Sequence, residues 1–197
     1  MNVREDFLNL PDFEDAAIKI KDEDTRDIVQ FLYDSAWRSG EAKTLEWSKI
    51  DLREWIIRLS RKNSKTKKPR TLVLVGDLKD IIVRRLAKRL ADCPFVFHRK
   101  GKPIKSFRRA FKSACKKIGL AGMVPNDMRR SGVRNLRRAG NDEHDCMEIS
   151  GHKTRAVFDR YDIIDEEDQR RTLERQQEHR KKQLAEPRKV VPLRQAG

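Results

Sequence analysis

The chain has 197 residues and carries 46 Lys and Arg against 31 Asp and Glu, a formal net charge of +15. That length suits one domain of ordinary size with a tail and leaves too little chain for two full domains. The cationic excess calls for a polyanionic partner, nucleic acid first and anionic membrane second. No apolar run approaches the roughly 20 residues of a membrane span, and no basic start leads into an apolar signal segment, so a soluble, cytoplasmic protein with no membrane association is expected.

The first twenty or so residues mix acidic and apolar side chains without a clean period and read as a lead-in. Asp24 is expected to cap a helix whose buried stripe is Ile28, Phe31, Leu32 and Ala36, with Arg38 at or just past its end and Tyr33 in the core. A short helix from Gly40 carries Ala42, Leu45 and Glu46 into Trp47. The stretches from Ile50 to Leu59 and from Thr71 to Val75, rich in β-branched and large apolar residues, flank the basic segment Arg61 to Arg70; they read as a β-hairpin whose long loop lies outside the core. Helical spacing returns from Asp77 to Leu90. Phe95 to Phe97 is a short apolar segment, and Arg99 to Pro103 is a turn. Ser106 is expected to cap a helix carrying Phe107, Ala110, Phe111 and Ala114, which Gly119 stops.

From Asn126 onward the spacing predicts helices over Met128 to Ala139, Asp142 to Ile149 and Thr154 to about Tyr161, separated by Gly140 and Gly151. Beyond Ile164 the composition turns polar. Residues 165–185 read as an exposed helix, or one packed on something else, and the last dozen residues as disordered. The fold class expected is mostly helical with a small antiparallel β-sheet. Cys93, Cys115 and Cys146 form neither a disulfide framework nor a zinc ribbon and read as thiols half buried among apolar residues. His144, Cys146 and His152 lack the spacing and the fourth ligand of a metal site, so neither metal nor cofactor is expected.

The informative residues are Ser35-Ala-Trp-Arg-Ser-Gly-Glu41, Asn126-Asp-Met-Arg-Arg130, Ser150-Gly-His152 and, nine positions after that triplet, Tyr161. Metal-free cleavage of a DNA strand needs a nucleophile, cationic donors for the charge that develops on the phosphate, and an acid for the leaving oxygen. A phenol can form a covalent phosphotyrosine, and guanidiniums fit the non-bridging oxygens with forked, permanently charged donors. The order Arg, Arg, Gly-His, Tyr resembles the catalytic domain of the tyrosine recombinase, or phage integrase, family over Phe31 to Tyr161, with further likeness from Phe95 to Gly119.

The resemblance implies roles residue by residue. Arg38 and Arg129 match the two catalytic arginines, Glu41 the acidic residue that buttresses the first, and His152 the histidine of the family's Leu-Gly-His, beside the phosphate. Tyr161 matches the nucleophile. Lys65, five residues before Arg70, matches the hairpin lysine that protonates the 5′ oxygen, with Lys62, Lys67 and Lys68 in the same loop as alternatives. The family's His-x-x-Arg is Asn126-x-x-Arg129 here, and an amide can donate a hydrogen bond to the phosphate but cannot carry charge. Arg61, Lys62, Lys67, Lys68, Arg70, Lys105, Arg130, Lys153 and Arg155 are the expected DNA contacts.

The implied activity is site-specific cleavage and rejoining of double-stranded DNA through a 3′-phosphotyrosine, for integration or excision of a mobile element in a bacterial or phage-infected cell. It implies a tetramer on DNA and a monomer in isolation. Two other readings stand: a type IB topoisomerase-like enzyme, which the Gly-His spacing and small size disfavour, and a weakly active DNA-binding regulator, which Asn126 alone supports. Nothing in the sequence resembles the family's N-terminal DNA-clamping domain, so the expected organisation is a catalytic domain over residues 1–164 and a polar tail over 165–197.

Overall fold

The computed structural model describes residues 7–60, 69–161, 164 and 166–185, and the chain divides into two units, Met1–Asp162 and Ile163–Gly197. Helix α1 spans Leu10–Ile18; the Asn9 side chain accepts a hydrogen bond from the Asp12 N–H at 2.8 Å and Pro11 sits in the first turn, a favoured pairing of cap and proline. This helix replaces the unpatterned lead-in that the sequence suggested. Its buried face is Phe13, Ala16 and Ala17, whereas Leu10 and Ile18 are exposed at 56% and 66%. Small residues inside and large apolar ones outside blur the helical period. Leu8 and Ile20 are buried on either side, and Phe13 stacks on Tyr33 with ring centroids 3.7 Å apart.

Helix α2, Glu23–Ser35, is the spine of the first unit and packs against α1 and three helices introduced below. Its N-cap is Asp22, which accepts from the Thr25 N–H at 3.0 Å, and not Asp24, which lies in the first turn and is taken by an arginine. Ile28, Phe31 and Leu32 are buried as the spacing requires; each side chain so removed from water stabilises the fold by about 1.5–3 kcal/mol. Tyr33 is core, its hydroxyl donating to the Leu8 carbonyl at 3.1 Å. The helix ends where Ala36 turns left-handed at φ 52°.

Helix α3 follows at Ser39–Lys43, then a 3₁₀ turn at Trp47–Lys49 and a three-stranded antiparallel sheet of β1 (Ile50–Asp51), β2 (Ile56–Leu59) and β3 (Arg70–Val73) in that order. Ile57 lies opposite Leu72, and both are buried with Leu59. The stretch from Ile50 to Leu59 is therefore not one hairpin arm: Asp51 accepts from the N–H groups of Arg53 and Glu54, each at 3.1 Å, and Trp55 is left-handed at φ 54°. A second difference concerns Arg70, expected in the loop and outside the core. It opens β3 and is buried.

Helix α4 (Gly76–Ala87) and the small hairpin of β4 (His98–Arg99) and β5 (Lys102–Pro103) lead to α5, Arg108–Lys117. Gly119, at φ 84°, ends α5 as expected, but the N-cap position falls on Phe107 rather than Ser106. Helix α6 is Pro125–Arg138, where Asp127 accepts from the Val124 N–H at 2.8 Å; α7 is Glu143–Ser150, capped by Asp142; and α8 is only Arg155–Phe158. Tyr161 thus lies past a helix that was expected to reach it, its N–H donating to the Phe158 carbonyl at 2.7 Å in a tighter turn.

Helices α2 and α6 approach closely at Gly132, where a Cβ would stand 2.4 Å from the Tyr33 carbonyl oxygen. A large core joins α1, α2, the sheet, α4 and α5; a small second cluster of Ala36, Val133, Cys146 and Phe158 has Tyr161 packed on it. All three cysteines are buried, deeper than the half-burial expected. Among the described residues no helix is long and apolar enough to cross a membrane, and no His, Cys, Asp and Glu grouping could hold a metal. In the second unit α9, Glu166–Ala185, buries no residue.

Candidate active site

Three backbone features bring distant residues together. The left-handed Ala36 ends α2 and hands the chain to α3 with Arg38 at its N-cap; the approach at Gly132 holds the first turns of α6 beside that junction; and the left-handed Gly151, φ 71°, closes α7 and turns His152 inward. The result is a cleft of about 530 Å³ lined by Arg38, Glu41, Asn126, Arg129, His152 and Tyr161, among others. Five residues expected to act on a phosphate, and the expected buttress Glu41, therefore share one wall.

Arg129 is buried, and its Nη1 donates to the carbonyls of Ala36 at 2.5 Å and Ser150 at 2.8 Å while Nη2 lies against the His152 ring, 2.9 Å from Nε2 and 3.4 Å from Nδ1. Burial first and Arg38 second lower it from its usual range to about 10, which leaves it cationic at neutral pH. Arg38 is half-buried, with Nη2 donating to the Gly151 carbonyl at 2.9 Å and Nη1 facing Glu41 at 3.4 Å. Glu41 also accepts from the Arg38 N–H at 3.2 Å, so it caps α3 and buttresses the arginine at once.

Glu41 has a nearer partner than the expected one. Arg70 Nη2 donates to it at 2.8 Å, and the Arg70 guanidinium lies 4.6 Å above the Trp37 ring. Arg70 Nε and Nη1 are buried without a hydrogen-bond partner. A Cβ at position 151 would fall 1.6 Å from Arg70 Nη1, so glycine is required there by space as well as by backbone angle. Arg70 is accordingly an interior cation beneath the cleft and not the surface DNA contact that was expected.

His152 is buried, and its pKa is pushed down to about 3 by burial first and then by Arg129, Arg38 and Arg70. It is an uncharged imidazole at neutral pH. Its ring centroid lies 4.8 Å from that of Tyr161, which in turn faces the guanidiniums of Arg129 and Arg130, each 5.9 Å from the ring centre. Arg130, another expected DNA contact, is likewise buried and lies near the Phe7 ring at 5.7 Å. Such cation–π contacts restrain the phenol without reacting with it.

Asn126 is exposed at the mouth of the cleft and also lines a neighbouring groove with Lys43 and Arg108. Lys105 and Lys153 are exposed; Arg155 is exposed and pairs with Glu143 at 3.0 Å. Arg61, Lys62, Lys65, Lys67 and Lys68 lie outside the described residues. Sequence reading missed the interior places of Arg70 and Arg130, the platform supplied by Trp37, and Ser150, whose hydroxyl meets His152. Ser150 left a signal, since it replaces the leucine of the family triplet.

Solved structures share this fold. The structure of XerA recombinase superposes with a TM-score of 0.72 at 22% identity, covering 92% of this chain and 66% of that one. Tn1549 transposon integrase in complex with transposon right end DNA gives 0.69 at 17% identity over 87% and 66%, and a lambda integrase dimer bound to a COC' core site gives 0.68 at 16% over 83% and 49%. The chain thus spans at most about two thirds of the length of these three chains. No curated protein matches it. The model of the phage integrase family matches residues 7–167, and the chain belongs to that family.

Proposed function

We propose that the chain is the catalytic domain of a tyrosine recombinase, acting on double-stranded DNA through a covalent phosphotyrosine at Tyr161. The observation that carries this reading is the surplus of guanidinium at the cleft: Arg38, Arg70 and Arg129 converge where, among the described residues, Glu41 is the one carboxylate paired with them. A phosphodiester entering the cleft would offset that surplus. Arg38 and Arg129 are the donors for its non-bridging oxygens, held in advance by the Gly151, Ala36 and Ser150 carbonyls, so little reorganisation accompanies charge development.

Attack by the Tyr161 oxygen on phosphorus forms the phosphotyrosine and breaks the bond to the 5′ oxygen, which needs a proton. Lys65 is assigned that role, and a bridging 5′ sulfur in the substrate should restore a Lys65→Ala protein, because a thiolate leaves without protonation. Neutral His152 serves as a hydrogen-bond acceptor beside the phenol; burial first and the arginines second hold its pKa down, and an incoming anion offsets the arginines' part. Lys105, Lys153 and Arg155 contact flanking phosphates, with binding that weakens steeply as salt rises. Assembly as a tetramer on DNA, action in the cytoplasm and service to a mobile element belong to the same reading.

The test incubates the protein with nicked duplexes of randomised sequence, which release a short strand and trap cleaved product. A protein–DNA adduct stable to denaturant is expected from the wild type and absent from Tyr161→Phe, with both proteins binding DNA equally. An adduct from the Phe variant would overturn the assignment.

A further inference from the structure

We infer that Ser150 is a positioning residue that fixes the proton of His152 on Nδ1 and keeps the Nε2 lone pair turned toward the reacting groups, an inference that rests on the recombinase reading for its catalytic consequence but not for its chemistry. The hydrogen bonds of the Ser150 hydroxyl lead to it. Arg129 Nη2 lies 2.9 Å from Nε2 and 3.4 Å from Nδ1, over the face of the ring and along neither lone pair, so that contact does not choose the tautomer. A neutral imidazole carries one proton, on Nδ1 or on Nε2, and the partner of Nδ1 decides which.

Ser150 Oγ lies 2.7 Å from His152 Nδ1 and has a single hydrogen, which it donates to the Cys146 carbonyl at 2.6 Å. With that hydrogen committed, the oxygen is left as an acceptor, and the Nδ1–H is the donor that fills it. Ser150 is fully buried, so water does not compete. The serine also sits between two catalytic elements: its carbonyl accepts from Arg129 Nη1 at 2.8 Å, so one residue orients the guanidinium through its backbone and the imidazole through its side chain.

A leucine at this position, as in the family triplet, would offer no acceptor to Nδ1. Here the hydroxyl settles a choice that otherwise would be left to solvent or substrate. The neutral ring keeps its lone pair on Nε2, the nitrogen not engaged by Ser150, with its centroid 4.8 Å from that of Tyr161.

The experiment is long-range ¹H–¹⁵N correlation of protein labelled on its histidines, recorded without DNA at neutral pH, with the His152 signals assigned by their loss in His152→Gln. The wild type should show a pyrrole-like Nδ1 and a pyridine-like Nε2. Ser150→Ala should shift both nitrogens toward intermediate values as the second tautomer becomes populated, and adduct formation on nicked duplexes should fall roughly two- to tenfold, the worth of one net hydrogen bond. A protonated Nε2 in the wild type, or an unchanged pattern in a folded Ser150→Ala protein, would overturn the inference. The wild-type pattern alone decides should that variant not fold. The predicted tautomer in a protein that forms no adduct would instead count against the recombinase reading alone.

Discussion

Two buried arginine clusters in the same unit have opposite electrostatic designs. Arg85 on α4 is fully buried, and its guanidinium is surrounded by acceptors: Asp24, Asp27 at 3.5 Å, and the carbonyls of Val96 at 3.1 Å and His98 at 2.9 Å. Around the cleft, Arg38 and Arg70 share Glu41, Arg129 is held by the carbonyls of Ala36 and Ser150, and two nitrogens of Arg70 have no partner. The first cluster is complete within the protein. The second is short of acceptors within the protein, the arrangement expected of cations kept for a ligand and not of cations that tie elements together.

Changes at each cluster should therefore fail in different ways. Arg85→Met should cost the most stability, about 3–5 kcal/mol, because it leaves two buried carbonyls without their donor and Asp24 and Asp27 with only Lys88 and Arg84 as partners; chemical denaturation measures it, and a loss below about 1 kcal/mol would make the pairing superficial. Arg129→Ala should lower the single-turnover rate of adduct formation by about 10²- to 10³-fold, the cost of one preorganised donor. A rate within threefold of the wild type would remove Arg129 from the reaction.

His152 gives a pH signature of the uncompensated cluster. Its folded pKa of about 3 lies below the ordinary 6.5, so between those values the unfolded chain binds a proton that the native state does not. Its contribution to stability is present above pH 6.5 and is lost as pH falls toward 3. Denaturation midpoints in that window should fall less steeply for His152→Gln. Parallel profiles would mean that the imidazole is not held neutral. The smallest effect is expected at the exposed Asn126: Asn126→His should hold or raise the adduct rate, within about tenfold, by offering a donor able to carry charge. A clear loss would show a specific contact of the amide.

The difference between the clusters also explains what the sequence disclosed. Arg38, Glu41, Arg129, His152 and Tyr161 were legible because each stands in a motif whose spacing matches the family. The elements of α2, α4, α5, α6 and α7 were legible because their apolar residues keep a helical period. Helix α1 was not, since alanines fill its buried face and Leu10 and Ile18 point outward. The interior place of Arg70 was hidden for another reason. A basic run reads as solvated along its whole length, and only the register of β3 against β2 and the platform of Trp37 select its last member for burial. Nor could spacing reveal that Ser150 meets His152, because the contact depends on the left-handed turn at Gly151 between them.

The most direct test of the account compares adduct formation per folded molecule by Arg129→Ala and Arg85→Met on the same pool of nicked duplexes, at a temperature where both proteins are folded. The account predicts that Arg129→Ala loses at least about 10²-fold while Arg85→Met stays within a few-fold of the wild type. Equal losses in the two proteins would contradict it, because the cleft arginines would then be acting through the fold and not on the phosphate.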